Sequence, residues 1–209
     1  GLPDCAETGT GVFIDITDTG TDPMQADTDG DGLRDGDEVL GTLDGLDLPA
    51  LGVNPLRKDL LVEYDWFDEE YDCGAHTHAP TAATLERVQR VFADAPVANP
   101  DGSSGIHLIQ DAGQGGMLSG GGRIDGHDAV LPGTFDTTHA EIKSQNFASN
   151  RAGAFHYVLL AHRYAGGSAS SGYAEVVGDD VIVSLACGIQ EDSMVRTIVH
   201  ELGHNLGLL

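Results

Sequence analysis

Two histidines near the carboxyl-terminal end of the sequence constrain this chain more than any other feature. They are His200 and His204, in the segment His-Glu-Leu-Gly-His-Asn-Leu-Gly-Leu-Leu from 200 to 209. On an α-helix, four residues make about one turn and about 6 Å of rise, so both imidazoles project from one face. The spacing therefore predicts a helix that presents two imidazoles to one metal ion.

The residue after the first histidine is Glu201. Its carboxylate would lie beside the histidine face, where it can take a proton from a water on the metal without being a ligand. Zinc suits such a site because it accepts neutral imidazole nitrogen, keeps a position open for water and lowers the pKa of that water to about 7. The pattern predicts peptide hydrolysis with Zn2+ on His200 and His204 and with Glu201 as the catalytic base.

Gly207 lengthens the motif beyond a chance His-Glu-x-x-His. A glycine three residues after His204 lets the helix stop in a left-handed turn and sends the chain back towards the metal. With this residue the segment resembles the metzincin clan of zinc endopeptidases, whose signature is His-Glu-x-x-His-x-x-Gly-x-x-His. The resemblance implies a zinc metalloendopeptidase that acts on protein or peptide substrates.

The signature's third metal ligand would follow Leu209, where this sequence ends. Three readings are open: a shortened chain, a chain cleaved here whose remainder is a partner held as a separate piece, or a site that borrows another ligand. We favour the first two, because the Gly207 turn has a purpose only if it delivers something to the metal. The methionine-containing turn that the resemblance implies would also lie further on.

The charge of the chain narrows the classes of partner. Its 209 residues include 34 acidic and 10 basic side chains, which give a formal net charge of −24. Such a surface repels nucleic acids and anionic membranes, so neither is an expected partner. No apolar run approaches the roughly 18 residues of a membrane span. Because Gly1 is not an initiator methionine, we expect a secreted product whose leader has been removed, or a trimmed chain.

The three cysteines, Cys5, Cys73 and Cys187, are an odd number. For an exported chain, one disulfide plus one thiol is the simplest account. Cys73 and Cys187 each follow a predicted strand, and the ends of parallel neighbouring strands can meet, so we favour that pair. The alternative is that Cys5 blocks the zinc as a latency thiolate, as propeptide cysteines do in matrix-type relatives of the resembling clan.

An acidic segment near the amino-terminal end predicts a Ca2+ site. From residue 27 the chain reads Asp-Thr-Asp-Gly-Asp-Gly-Leu-Arg-Asp-Gly-Asp-Glu. Oxygen donors fall at positions one, three, five, seven, nine and twelve of the calcium-loop template, and Gly32 occupies position six, where the chain must turn. The donors are Asp27, Asp29, Asp31, the Leu33 carbonyl, Asp35 and Glu38. A solvated acidic loop would explain the charge but not the positions of Gly32 and Glu38.

The flanks of this loop resemble thrombospondin type 3 repeats more than a helix-loop-helix sensor. Gly-Thr-Asp-Pro precedes the loop, and no long amphipathic helix does. The resemblance implies a structural calcium ion rather than a signalling switch. Asp15, Asp18 and Asp22 are candidates for a second ion. We expect residues 1–55 to form a calcium-loop module with its linker, and residues 56–209 to form the amino-terminal, upper part of a catalytic domain.

From residue 56 onward the hydrophobic pattern alternates between strands and helices. A glycine-rich stretch, 113–126, lacks phosphate-loop spacing and is interpreted as a surface loop. The turn at Gly178 and Asp179 is so short that the strands on either side must be antiparallel. The predicted strands are 58–67, 105–111, 154–164, 173–177 and 180–186, and the predicted helices are 80–95, 138–150 and 189–206.

This order is similar to that of the metzincin upper subdomain. The resemblance implies an α/β fold with a five-stranded mixed twisted sheet, a backing helix and a long active-site helix, preceded by the calcium-binding module. It also implies that extended substrate adds to the antiparallel edge strand by main-chain hydrogen bonds. The substrate-binding residues would then be Tyr173, Ala174, Glu175, Val176 and Val177.

The other histidines have no spacing that suggests a third zinc ligand. His76 and His78 form a His-Thr-His pair in a predicted loop, which is weak evidence for a metal site. His156 and His162 fall in a predicted strand and are interpreted as core or surface groups.

Two functions are consistent with the sequence. The first is a secreted zinc endopeptidase stabilised by calcium. The alternative is a calcium-dependent binding or surface module whose metallopeptidase-like domain is inactive. Glu201 separates them, because only the enzyme needs its carboxylate.

Overall fold

The chain, seen in a computed structural model, has a mixed α/β fold. The structure describes residues 1–70, 74–125, 130–131, 138–164, 171–187 and 191–208. These residues form five α-helices and a seven-stranded, open, mixed sheet. They divide into two compact units, the first formed by Gly1–Leu60 and Gln89–Ile109, the second by Leu61–Val88 and Gln110–Leu209. None of the helices described combines the length and the apolar character that crossing a membrane requires.

The strands in chain order are β1 (Asp59–Glu69), β2 (His76–Thr77), β3 (His107–Asp111), β4 (Gly122–Ile124), β5 (Val130–Leu131), β6 (Phe155–Ala161), β7 (Arg163–Tyr164), β8 (Gly172–Ala174) and β9 (Asp180–Ser184). Their order in the sheet is β2-β1-β6-β9-β8, and β3 and β4 also pair with β1. β6 runs parallel to β1 and to β9, whereas β2 and β8 are antiparallel to their neighbours. A separate parallel pair joins β5 to β7.

Strands β6 and β9 form the centre of the second unit because their sequences are almost continuously apolar. A run of this kind suits a strand that is buried on both faces. Leu159 and Leu160 of β6, and Val181 and Val183 of β9, have no exposed surface. Tyr157 and Ile182 belong to the core cluster of this unit, together with Phe67, Ile124, Leu131, Ile142, Leu159 and Ala161.

The five helices are α1 (Asp35–Leu40), α2 (Leu48–Leu51), α3 (Ala82–Ala93), α4 (Ala140–Asn146) and α5 (Glu191–Asn205). Thr81 caps α3, since its hydroxyl accepts a hydrogen bond from the Thr84 amide at 3.0 Å. α5 ends in the left-handed turn predicted at Gly207, which has a φ of 84°. The amides of Gly207 and Leu208 donate to the carbonyls of His204 and Gly203, and these two bonds satisfy the helix end.

The structure corrects the prediction in three places. The sheet has seven strands in the described residues rather than five, because the short strands β2 and β4 were not predicted. β4 lies inside 113–126, which was predicted to be a loop; three residues become a strand there only because they pair with Asp65–Phe67 of β1. The strand predicted over 173–177 ends at Ala174, and Val177 has a positive φ of 58° that no strand adopts. The antiparallel pairing of β8 and β9 is confirmed.

A buried ion cluster in the second unit ties β1 to the segment before β6. One nitrogen of Arg151, Nη1, lies 2.5 Å from Oε2 of Glu63 and 2.6 Å from Oδ2 of Asp111. The other, Nη2, donates to the Met117 carbonyl at 3.0 Å. Burial still outweighs this partner and raises the pKa of Glu63 to about 7. Arg151 therefore compensates two acidic groups that water cannot reach.

We predict that Arg151→Met lowers the free energy of unfolding by about 3–5 kcal/mol, because it leaves Glu63 and Asp111 buried without their cation. Urea unfolding measures this change. The matched control is Arg87→Met, whose guanidinium lies 2.6 Å from Asp192 at a solvent-exposed position. Exposed ion pairs contribute little, so the control should have a much smaller effect. Equal effects of the two variants would contradict the role given to Arg151.

Candidate metal centres

The rings of His200 and His204 converge at the carboxyl-terminal end of α5. Their Nε2 atoms are 3.1 Å apart, and their ring planes are inclined at 79°. A tetrahedral zinc ion with bonds of about 2.0–2.1 Å sets two ligand nitrogens about 3.3 Å apart. The separation of the two nitrogens therefore fits one shared ion. His200 is exposed and His204 is half-buried, so the pair is open to solvent.

A backbone carbonyl fixes which nitrogen of His204 can bind metal. Nδ1 of His204 lies 2.8 Å from the carbonyl oxygen of Leu208. An oxygen of this kind only accepts, so Nδ1 must carry the proton and Nε2 must carry the lone pair. The chain beyond Gly207 thus returns to the histidine and holds its ring in the tautomer that a metal requires.

Glu201 lies on α5 between the two histidines in sequence and is only 5 % exposed. Burial raises the pKa of its carboxyl, and the nearby His200 and His204 act in the opposite direction. The carboxyl group packs against Gly172 of β8, where an added Cβ would lie 2.7 Å from the Glu201 Cδ. Gly172 therefore leaves the space that the carboxylate fills.

The end of α5 is bonded to the connection between β8 and β9. The Val177 amide donates to the His204 carbonyl at 3.1 Å. Nδ2 of Asn205 donates to the Glu175 carbonyl at 2.9 Å, and Oδ1 of Asn205 lies 3.0 Å from Nδ1 of His156. Only part of the predicted substrate-binding segment, residues 173–177, therefore lies in the strand. Tyr173 and Ala174 belong to β8, whereas main-chain groups of Glu175 and Val177 bond to the helix and Val176 is an exposed residue beyond the strand.

The acidic loop brings together three of its predicted calcium donors. Carboxylate oxygens of Asp27, Asp29 and Asp31 all lie within 4.8 Å of one another. Asp31 also belongs to a second group of the same size with Glu38 and Asp59. Asp59 was not predicted, because it lies at the start of β1, outside the loop's own spacing. Its amide donates to Oδ2 of Asp31 at 2.7 Å, which draws the strand to the loop.

The two remaining predicted donors are placed differently. The Asp35 carboxylate accepts hydrogen bonds from the amide and the hydroxyl of Thr28, at 2.8 and 2.7 Å, and is absent from both groups of donors. The Asp35 carboxylate therefore stabilises the loop through its hydrogen bonds to Thr28. Leu33 is buried, and its amide donates to Oδ1 of Asp31 at 2.8 Å.

Buried negative charge in this loop lacks a partner. Neither oxygen of Glu38 nor Oδ2 of Asp29 has a hydrogen bond in the part of the chain that the structure describes. Burial raises the pKa of Glu38 to about 10, and the neighbouring Asp31 and Asp29 add to the shift. Burial likewise raises the pKa of Asp29 to about 7 and that of Asp31 to about 6. A divalent cation among these oxygens would remove the conflict, and oxygen donors are those that calcium prefers.

A third group of candidate metal ligands consists of histidines for which the sequence offered only weak evidence of a metal site. His76, His78 and His162 each offer a ring nitrogen within 4.8 Å of the others. His78 and His162 are 2 % and 0 % exposed, and burial, followed by the influence of His76 and His162, lowers the pKa of His78 to about 4. The alternation of a strand could have signalled that His76 and His78 share a face. Nothing local links them to His162, far along the chain.

The described cysteines differ in oxidation state, and one further acidic group lies in the second unit. Cys187 is disulfide-bonded, Cys5 is a free, exposed thiol, and Cys73 lies outside the described residues. Glu175, Asp179 and Asp180 also converge. Nζ of Lys143 lies 3.2 Å from Asp179 and 2.5 Å from Asp180, so the lysine already compensates the negative charge of these carboxylates.

Comparisons of the chain with family models, with curated proteins and with solved structures gave no match.

We predict that Glu38→Gln weakens calcium binding at least about tenfold, a loss of about 1.4 kcal/mol, since it removes one charge from the buried donors. Isothermal titration calorimetry with calcium measures the change. Asp44→Asn is the matched control, because it removes one charge at an exposed position outside both donor groups. Asp59→Asn should behave like Glu38→Gln. Unaltered calcium affinity in both Glu38→Gln and Asp59→Asn would rule out this site.

Proposed function

We propose that this protein is a secreted zinc endopeptidase of metzincin type, stabilised by calcium. The observation that carries the proposal is the 3.1 Å separation of the His200 and His204 Nε2 atoms, with the Glu201 carboxyl group beside them on the same helix. The Leu208 carbonyl supports it by holding His204 in the metal-binding tautomer. A third ligand is expected just beyond Leu209, at the position that the metzincin signature assigns.

Each side chain has a separate task in the proposed reaction. Zinc, when bound, would polarise the scissile carbonyl and lower the pKa of a water molecule. His200 and His204 would hold the ion through neutral nitrogens. Glu201 would accept the proton of the attacking water and pass it to the leaving amine. Gly172 would position Glu201, since a larger residue there would push the carboxylate away.

The proposed substrate is an extended peptide that pairs with β8. This strand is the outermost one on its side of the described sheet, and α5 packs against it. A peptide added there would run beside the Glu201 carboxyl group, which contacts Gly172 at the start of the strand. Within the predicted segment, Tyr173 and Ala174 are the residues that we retain for main-chain pairing.

Calcium would act on stability rather than on the chemical step. The loop donors belong to the first compact unit, where a bound ion would compensate the buried oxygens of Glu38 and Asp29. Export is supported by the disulfide at Cys187, because such bonds persist in oxidising surroundings.

We predict that Glu201→Gln lowers peptide hydrolysis by at least about 100-fold, the lower end of what general base catalysis contributes, while zinc content is unchanged. Hydrolysis of an unstructured protein and elemental analysis measure the two quantities on the full-length chain. Glu175→Gln is the control for a lost carboxylate near the site. Full activity in Glu201→Gln would exclude this mechanism. A full-length chain that holds zinc but cleaves no protein would favour the inactive binding module.

We predict that Gly172→Ala lowers kcat by about 100-fold, because a displacement of a catalytic group by about 1 Å can have that effect. Zinc content should stay the same, since the histidines are not displaced. The matched control is Gly122→Ala in β4, where an added Cβ meets nothing within 4 Å. An unchanged kcat in Gly172→Ala would show that the carboxylate is not positioned by this contact.

A further inference from the structure

The histidine trio of His76, His78 and His162 is assembled by strand pairing. β2 pairs with the end of β1, where Glu69 faces His76 and Asp68 faces Thr77 in the register, and the His78 amide donates to the Phe67 carbonyl at 3.1 Å. His162 directly follows β6, which runs parallel to β1. The carboxyl ends of parallel neighbours lie at the same edge of a sheet. The three rings therefore meet where β1 and β6 end.

The nitrogen atoms of the trio are arranged as in a metal site. Nδ1 of His76 lies 2.7 Å from the Gly74 carbonyl, so Nδ1 carries the proton and Nε2 carries the lone pair. That Nε2 lies 3.2 Å from Nδ1 of His162, close to the edge of about 3.3 Å that a tetrahedral zinc requires. The ligand nitrogen of His78 lies within 4.8 Å of those of the other two histidines.

A histidine cluster without metal does not account for His78. Its Nε2 is buried and has no hydrogen-bond partner in the described residues. A buried polar group of this kind destabilises the fold unless it gains a partner. The ring centroid of His78 lies 4.8 Å from that of His76 and 5.7 Å from that of His162, so the three rings are close neighbours. An ion that accepts imidazole lone pairs would give the buried Nε2 of His78 a partner.

We propose that His76, His78 and His162 form a second zinc site, independent of the pair on α5. Among the described residues the group consists of three imidazoles, and nitrogen donors of this kind favour a borderline transition metal rather than calcium or magnesium, which take oxygen donors. The burial of two of the rings makes the ion a structural one. It fastens β2, a strand of two residues, to the end of β6.

The two histidine sets are too far apart to share an ion. His156, at the start of β6, contacts Asn205 at the end of α5. His162 comes six residues later, and a strand advances about 3.3 Å per residue, so roughly 20 Å separate the two positions. Zinc bound by the trio can therefore be measured when the pair on α5 has been removed.

The test uses the full-length, calcium-loaded protein with His200→Ala and His204→Ala combined. After dialysis against zinc, elemental analysis should find one zinc ion per chain. X-ray absorption at the zinc edge should show three imidazole ligands. A folded double variant that holds no zinc would overturn the proposal, as would a spectrum with fewer imidazoles. Peptidase activity plays no part in this measurement, so failure here is distinct from failure of the proposed function.

Adding His76→Ala to that background should weaken zinc binding by more than about 100-fold. Removing a group that only hydrogen-bonds to a metal ligand weakens metal binding about 10–100-fold, and removing the ligand itself should have a larger effect. The partly exposed His76 is chosen because its loss disturbs the core least. Thr77→Ala, on the same strand with an exposed side chain, is the matched control and should keep the zinc. Equal zinc affinity in the two variants would overturn the proposal. If the variant with His76→Ala does not fold, the X-ray absorption spectrum of the His200→Ala, His204→Ala double variant decides whether the trio binds zinc.

Discussion

The parallel pairing of β6 with β1 on one side and with β9 on the other is the interaction on which the second unit depends. β6 is almost completely buried, so its direction and register set the places of His156 near its start and of His162 directly after its end. His156 meets Asn205 where α5 ends. His162 meets His76 where β1 ends. A slip of one residue would turn every side chain of the strand to the opposite face and separate both contacts at once.

Each of the two units contains buried carboxylates, and the two units differ in how this negative charge is compensated. In the second unit, the Arg151 guanidinium pairs with both buried Glu63 and buried Asp111. In the first unit, the acidic loop holds buried oxygens, among them both of Glu38, with no hydrogen bond in the described residues. Arg57 in the same unit pairs with Asp59 at 2.9 Å and leaves the Glu38 oxygens without a partner among these residues. The contrast argues that the cation of the loop comes from solution, as calcium would.

The sequence predicted those parts of the site whose signals are local. The helical spacing of His200 and His204, the left-handed turn at Gly207 and the short antiparallel connection after β8 each depend on a few consecutive residues, and each is present. Asp59, β4 and His162 were missed because each is brought to its place by a partner far away in the chain. Periodicity reports which face of a strand is buried, but not which strand will be its neighbour.

In both histidine sets that we propose to bind metal, a backbone carbonyl beside a left-handed glycine faces Nδ1 of one histidine. Gly74 has a φ of 77°, and its own carbonyl faces Nδ1 of His76. Gly207 has a φ of 84°, and the carbonyl of the next residue faces Nδ1 of His204. In each case the turn that glycine permits brings an acceptor to Nδ1, and Nε2 is left as the ligand atom. From the sequence, Gly207 was predicted to end the helix and to turn the chain towards the metal, whereas neither carbonyl contact was predicted, because each depends on where a backbone oxygen lies and not on a side-chain pattern.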